Sequence, residues 1–129
     1  DSYKIYLSEY EKKYGEKPPT AYSENAYDGV IVIALAIEAA GEKAFAEERG
    51  KAIRDNLRKV ANPPGVKVSA GVEGLKKAFQ LLREGKDIDY EGAAGSIDFD
   101  KYGDTVTPIL IWKIENGQIV PVKSVLVEQ

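Results

Sequence analysis

Residues 21–41, AYSENAYDGVIVIALAIEAAG, decide how this chain is read. Their middle, Val30 to Ile37, runs for eight residues without a polar side chain. Val30, Ile31, Val32 and Ile33 alone would suit a buried strand, whereas Ala34, Leu35 and Ala36 favour a helix. Length and end signals decide for the helix. Ser23 can accept from the first-turn amides, and Glu24 and Asp28 put negative charge near the positive helix end. Gly41 supplies the left-handed residue that commonly closes a helix. About 17 residues between these signals are ordinary for a helix and long for a strand. A helix so apolar must be covered nearly all round, so the other elements are expected to pack on it.

Upstream, Tyr3, Tyr6, Leu7, Tyr10 and Tyr14 recur at helical spacing and predict an amphipathic helix over 2–14, ended by Gly15. Four tyrosines on one face could stack on a ligand; a packed face with hydroxyls at its wet edge is the preferred reading. Pro18 and Pro19 lack amide donors and clash with a preceding turn, which predicts an extended, stiff connector over 16–21. That connector delivers Tyr22, Ser23, Glu24 and Asn25 to the start of a helix. Polar and aromatic groups at a crossing between two bodies suit a small-molecule pocket, and simple capping by Ser23 and packing by Tyr22 weigh equally.

Downstream, residues 42–50 predict a short helical turn or loop. Ile53, Leu57 and Val60 mark a helix over 51–61 that Asn62-Pro63-Pro64-Gly65 stops. Val72, Leu75, Phe79 and Leu82 mark another, ended by Gly85. A short strand is expected over 96–99 and a turn at Asp100–Gly103. The end predicts a hairpin: 107–115, a turn at Asn116-Gly117, then 118–127, with Pro121 at an edge or a bulge.

The 129 residues are 43% hydrophobic and 30% charged, which describes a soluble globular chain of one domain or less. A net charge of −3 with scattered basic residues argues against nucleic acid as a partner. The apolar run is far too short to cross a bilayer. Without cysteine or histidine there is no disulfide, thiolate, imidazole base or ordinary zinc site. The chain has no methionine and begins at Asp1 in what reads as mid-helix. A processed product or a piece of a larger polypeptide is therefore expected, and the lack of a signal peptide says nothing about export.

Catalytic and metal motifs fail on spacing. Asp98, Asp100 and Asp104 invite a calcium loop, but Tyr102 and Ile109 stand where oxygen ligands are needed. Gly92, Gly95 and Gly103 have no following Lys-Ser or Lys-Thr and open no helix, so they make no phosphate loop. No serine sits in a G-x-S-x-G elbow. The expectation is a protein without catalytic residues or cofactor.

A set of motifs occurs in order: Y-x-x-x-Y-G-x-x-P at 10–18, A-Y-D-G-V at 26–30 with an apolar helix running to Gly41, and I-R-D-N-L at 53–57. N-P-P-G at 62–65, G-K-D-I-D-Y-E-G-A-A-G at 85–95, I-D-F-D-x-x-G-D at 97–104 and a hairpin turning at N-G complete it. Together, from Tyr10 to Val122, they resemble the C-terminal part of type I periplasmic solute-binding proteins, most of all the branched-chain amino acid or amide receptors of ABC importers. The resemblance implies an α/β chain that is a fragment of a two-lobed fold: helices plus a C-terminal β-hairpin, with the central parallel strands largely missing. It implies that 1–15 end the second lobe, 16–22 cross the hinge, 23–104 form the C-terminal part of the first lobe, and 105–129 are the return crossing and hairpin.

The same resemblance implies a periplasmic or extracellular receptor, membrane-anchored, if at all, outside this segment. It would bind an amino acid or amide-like molecule between the lobes and deliver it to an ABC permease. The alternative is a ligand-sensing module of a signalling or regulatory protein with the same fold. Tyr22, five residues before Tyr27, stands where the family pattern often puts a ligand-touching side chain. With strands missing, an apolar patch is expected to pair, through Val30, Ile31, Ile33, Leu35 and Ile37, with a second copy or with the missing upstream chain.

Overall fold

A computed structural model describes residues 1–19, 22–106 and 108–126. Helix α1 spans Ser2–Tyr14 and closes on Gly15, whose φ of 75° is left-handed and whose amide donates to the Glu11 carbonyl. Residues 16–19 are neither helix nor strand, as two prolines dictate. Helix α2 spans Ser23–Ala40 and leads through Gly41 into a 3-10 turn, Gly41–Phe45. Helix α3 spans Arg49–Ala61, and helix α4 Gly71–Arg83.

Between α3 and α4 lies strand β1, Val66–Ser69, and after α4 comes β2, Ile88–Gly92. They pair in parallel, Val66 opposite Ile88 and Ser69 opposite Glu91, with α4 as the crossover. Neither strand is among those the sequence predicts, so part of a parallel sheet is present. A short strand β3, Gly95–Ser96, turns back antiparallel on β2. The core joins Val32, Leu35 and Ala36 of α2 to Val60 and Ala61 of α3, Val68, Ala78, and Ile88 and Tyr90 of β2.

The strand expected over 96–99 is corrected. Only Ser96 lies in β3, while Phe99 makes an isolated bridge to Thr105. The physical reason is Asn62, just past the end of α3. Its amide donates to the Phe99 carbonyl at 2.8 Å and its oxygen accepts from the Phe99 amide at 3.1 Å. One side chain thus satisfies both backbone groups that a neighbouring strand would have paired.

The predicted turn follows. One Asp100 oxygen accepts from the amides of Tyr102 at 2.8 Å and of Gly103 and Asp104 at 2.9 Å. Backbone bonding, that of Asp104 foremost, holds the Asp100 carboxyl below its ordinary value of 3.8. A depressed acid contributes stability above its unfolded value and loses it as pH falls through the lower folded value. Asp100→Asn should therefore flatten the acid limb of a stability-versus-pH curve below about pH 4, read by urea melts. An unchanged limb would remove the turn from acid stability.

The last two strands, β4 (Ile109–Glu115) and β5 (Gln118–Val125), pair only with each other. Asn116 and Gly117, at φ 52° and 76°, form the two-residue turn that the pair Asn-Gly favours. The register slips between Ile111 and Trp112, and Trp112 then faces Pro121, which accounts for the proline in this strand. The expected termini of this hairpin at 107 and 127 lie outside the described residues.

The apolar helix is covered on one face only. Asp28, Val32, Leu35 and Ala36 are buried, Ile31 and Ile37 are half-buried, and Val30 and Ile33 are 68% and 50% exposed. Leu35 is thereby corrected: it is fully buried within the core cluster and cannot join an external patch. Among the described residues no helix is long and apolar enough to cross a membrane.

Candidate functional site

Asp28 sits one turn before Val32 and two before Leu35, on the buried side of α2, and is itself 2% exposed. A carboxylate there needs partners, and it has three. Its Oδ1 accepts from the Tyr90 hydroxyl at 2.8 Å and the Ala93 amide at 2.8 Å; its Oδ2 accepts from the Ala94 amide at 2.7 Å. Burial first, and the Asp28 charge second, push the Tyr90 phenol far above its ordinary value, so it remains a donor. Gly92 makes the approach possible, since a Cβ there would stand 2.5 Å from Asp28 Oδ2. The loop after β2 is thus clasped to α2 by a buried side chain. The sequence reading assigned Asp28 only to the helix dipole. The legible signal was its helical register with Val32 and Leu35.

A second set of bonds ties α1 to the same body. Ser2 Oγ donates to the Glu91 carbonyl at 2.6 Å and accepts from the Ala70 amide at 3.1 Å. The Tyr27 hydroxyl accepts from Gly71 N–H at 3.2 Å, and Glu9 accepts from Val72 N–H at 3.3 Å. Three side chains of α1 and α2 therefore serve the amides where α4 begins, which α4's own sequence leaves without a side-chain cap.

The clasped loop forms one wall of a cavity of about 550 Å³. Ala93, Ala94 and Gly95 face Tyr22, Glu24 and Asn25 at the start of α2, with Tyr3 of α1 and Pro108, Leu110 and Ser124 at the hairpin base. Glu24 is the single charged group of this lining.

Tyr22 occupies the N-cap position of α2 at φ 68°, and the residue is 52% exposed. Left-handed backbone is rare for so bulky a residue and costs on the order of 1–3 kcal/mol, a strain that gathers at ligand clamps. This corrects the expected cap. Ser23 already lies inside the helix, where its hydroxyl donates to Glu24 Oε2 at 3.4 Å. On its other side Tyr22 borders a second cavity, of about 640 Å³, between α1 and α2. Of the four tyrosines on α1, Tyr6 is buried as the packed-face reading expects, while Tyr3 and Tyr14 stay about half exposed. Among the described residues no group of three histidine, cysteine or acidic side chains is placed to hold a metal.

Residues 3–116 match the family described as the receptor family ligand binding region. The chain is also similar to the chemotactic signal transduction system substrate-binding protein BasB of Halobacterium salinarum, 28% identical over 102 residues. The match covers 79% of this chain and 23% of that protein, so the chain spans about a quarter of its relative's length. No solved structure matches the chain. Family and relative are both described by what they bind, not by a reaction.

Proposed function

Because this chain belongs to the family of receptor ligand-binding regions, the type I periplasmic-binding-protein class, we propose that it is part of an extracytoplasmic receptor for a small polar molecule carrying an amino group. The reading rests on one observation above the rest: Tyr22 is held at a left-handed backbone angle where it walls a cavity at the junction of body and hairpin. Glu24 supplies a carboxylate for an ammonium group and Asn25 both a donor and an acceptor for an amide or carboxylate. The rings of Tyr22 and Tyr3 offer faces to a cation or an apolar side chain. An amino acid or amide-like ligand uses all of these.

In this proposal the segment from 105 carries the chain to a second lobe, and the rest of that lobe closes over the ligand. Pro18 and Pro19 restrict the chain that leads toward Tyr22. Delivery to an ABC permease is the first role we assign. The relative's place in a chemotactic signal transduction system favours a second, in which the loaded receptor addresses a sensor. A deletion strain separates them: loss of uptake with the attractant response intact supports import, and the reverse supports sensing.

Tyr22→Ala should lower ligand affinity about tenfold, roughly 1.4 kcal/mol, by calorimetry on the whole protein with branched-chain amino acids and their amides as probes. Tyr22→Gly relieves the backbone strain, so it should keep or raise the melting temperature while affinity falls by a similar factor. Unchanged affinity in both variants leaves Tyr22 a packing residue and removes the proposal's main support.

A further inference from the structure

The cavity between α1 and α2 is not used by the proposed cleft, and its chemistry differs. Its wall is a stepped row of rings. Tyr6 and Tyr10 have centroids 6.0 Å apart, Tyr10 and Tyr14 4.6 Å, and Tyr6 and Tyr27 5.1 Å, with planes tilted by 46–58°. Glu9 and Lys13 border the same space.

These two charges stand one turn apart, glutamate first, in the order that pairs best along a helix. They do not pair. Glu9 Oε1 turns to the Val72 amide, leaving Oε2 without a hydrogen bond among the described residues, and Lys13 Nζ lies 5.3 Å from the Tyr14 ring centre. The hydroxyls of Tyr10 and Tyr14 likewise have no protein partner among the described residues. The cavity therefore offers ring faces, spare donors and spare acceptors, while its charges cancel.

We propose that this cavity binds a neutral sugar, with the C–H face of the ring against the tyrosines and its hydroxyls on Glu9, Lys13 and the phenol groups. An ionic ligand would gain little here, because the opposite charges of Glu9 and Lys13 offset each other and Lys13 is open to water, where ion pairs are screened. Stacking and hydrogen bonds to several neutral groups survive in such a place. A volume of about 640 Å³ lies within the range of small-molecule sites and has room for a mono- or disaccharide.

The test is saturation-transfer NMR on the whole protein with glucose, galactose and maltose, comparing wild type with a Tyr10→Ala/Tyr14→Ala variant whose melting remains cooperative. Transfer to sugar C–H protons that weakens about tenfold in the variant supports the site. No transfer to any of the three sugars overturns it, as does transfer that persists without the two rings. Phenylalanine taking the transfer in place of the sugars overturns the ligand class. Tyr22 is untouched in these variants, so the outcome is separate from that of the cleft.

Discussion

Asp28→Ala is expected to cost the folded state about 3–5 kcal/mol, because it strands three donors at once. The Tyr90 hydroxyl and the Ala93 and Ala94 amides all end on this carboxylate, two of them in fully buried bonds. A buried donor left without a partner costs about 1–3 kcal/mol. Asp28→Asn keeps one acceptor oxygen but sets an NH₂ group against a second N–H, so it should cost about half as much. Tyr90→Phe removes a single donor and leaves the carboxylate two amides, with an expected loss of about 1.5–3 kcal/mol for a bond to a charged group.

Gly92→Ala attacks the same contact from the backbone, since the new methyl group would stand 2.5 Å from Asp28 Oδ2. Urea melts at pH 7 rank the four variants. An Asp28→Ala midpoint near that of the parent would dissolve the clasp as a stability element. The consequence reaches the proposed ligand site, because Ala93–Gly95 form one wall of the smaller cavity. A variant that still folds should bind ligand more weakly.

How much of this was legible in the sequence depends on the range of the interaction that forms each part. Gly15 and Gly41 end helices through their own backbone freedom, and Asn116-Gly117 turn a hairpin through theirs, so those boundaries are written locally. Strand β1 is four residues, VKVS, between a Pro-Pro-Gly stop and a glycine-bearing helix start. Its Val-Lys-Val-Ser alternation after Pro-Pro-Gly is a local strand signal, but four residues are short, and the partner β2 that pairs with it comes some twenty residues later. The missing strand at 97–99 is the converse. Phe99 has the right texture, yet Asn62 supplies its bonds from 37 residues away.

The site was legible where the chain enters α2, at Tyr22, Glu24 and Asn25, and hidden in its other walls. Tyr22 was visible from the proline connector that leads to it and from the family resemblance, whereas its left-handed backbone angle was not. That same geometry moves Ser23 into the helix and cancels its role as cap. Asp28 looked like a charge complementing a helix dipole because its real partners, Tyr90, Ala93 and Ala94, are more than sixty residues distant. The family match over 3–116 bears out the resemblance read from the ordered motifs.

The hairpin carries the second large expected effect. Alternation puts Leu110, Trp112 and Ile114 on one face of β4, and the register sets Ile119 and Pro121 opposite the last two. That face holds no charge, whereas the other carries Lys113, Glu115 and Lys123. Trp112, Ile114 and Ile119 are 51%, 69% and 65% exposed. A lone two-stranded hairpin is marginal in water, and an apolar face of this extent is a surface that another body covers. Full burial of each such side chain would contribute about 1.5–3 kcal/mol.

The 129-residue chain by itself is therefore expected to associate with a second copy, through this face and through Val30 and Ile33 of α2. Trp112 is the sole tryptophan of the chain and reports the event directly. Its emission should shift to the blue and lose iodide quenching as concentration rises, in step with the mass from light scattering. Ile114→Thr/Ile119→Thr should hold the chain monomeric with the indole still wet. Monomeric scattering together with water-exposed emission at every concentration of the parent chain would show the face to be bare surface, and would remove the argument for a covering lobe.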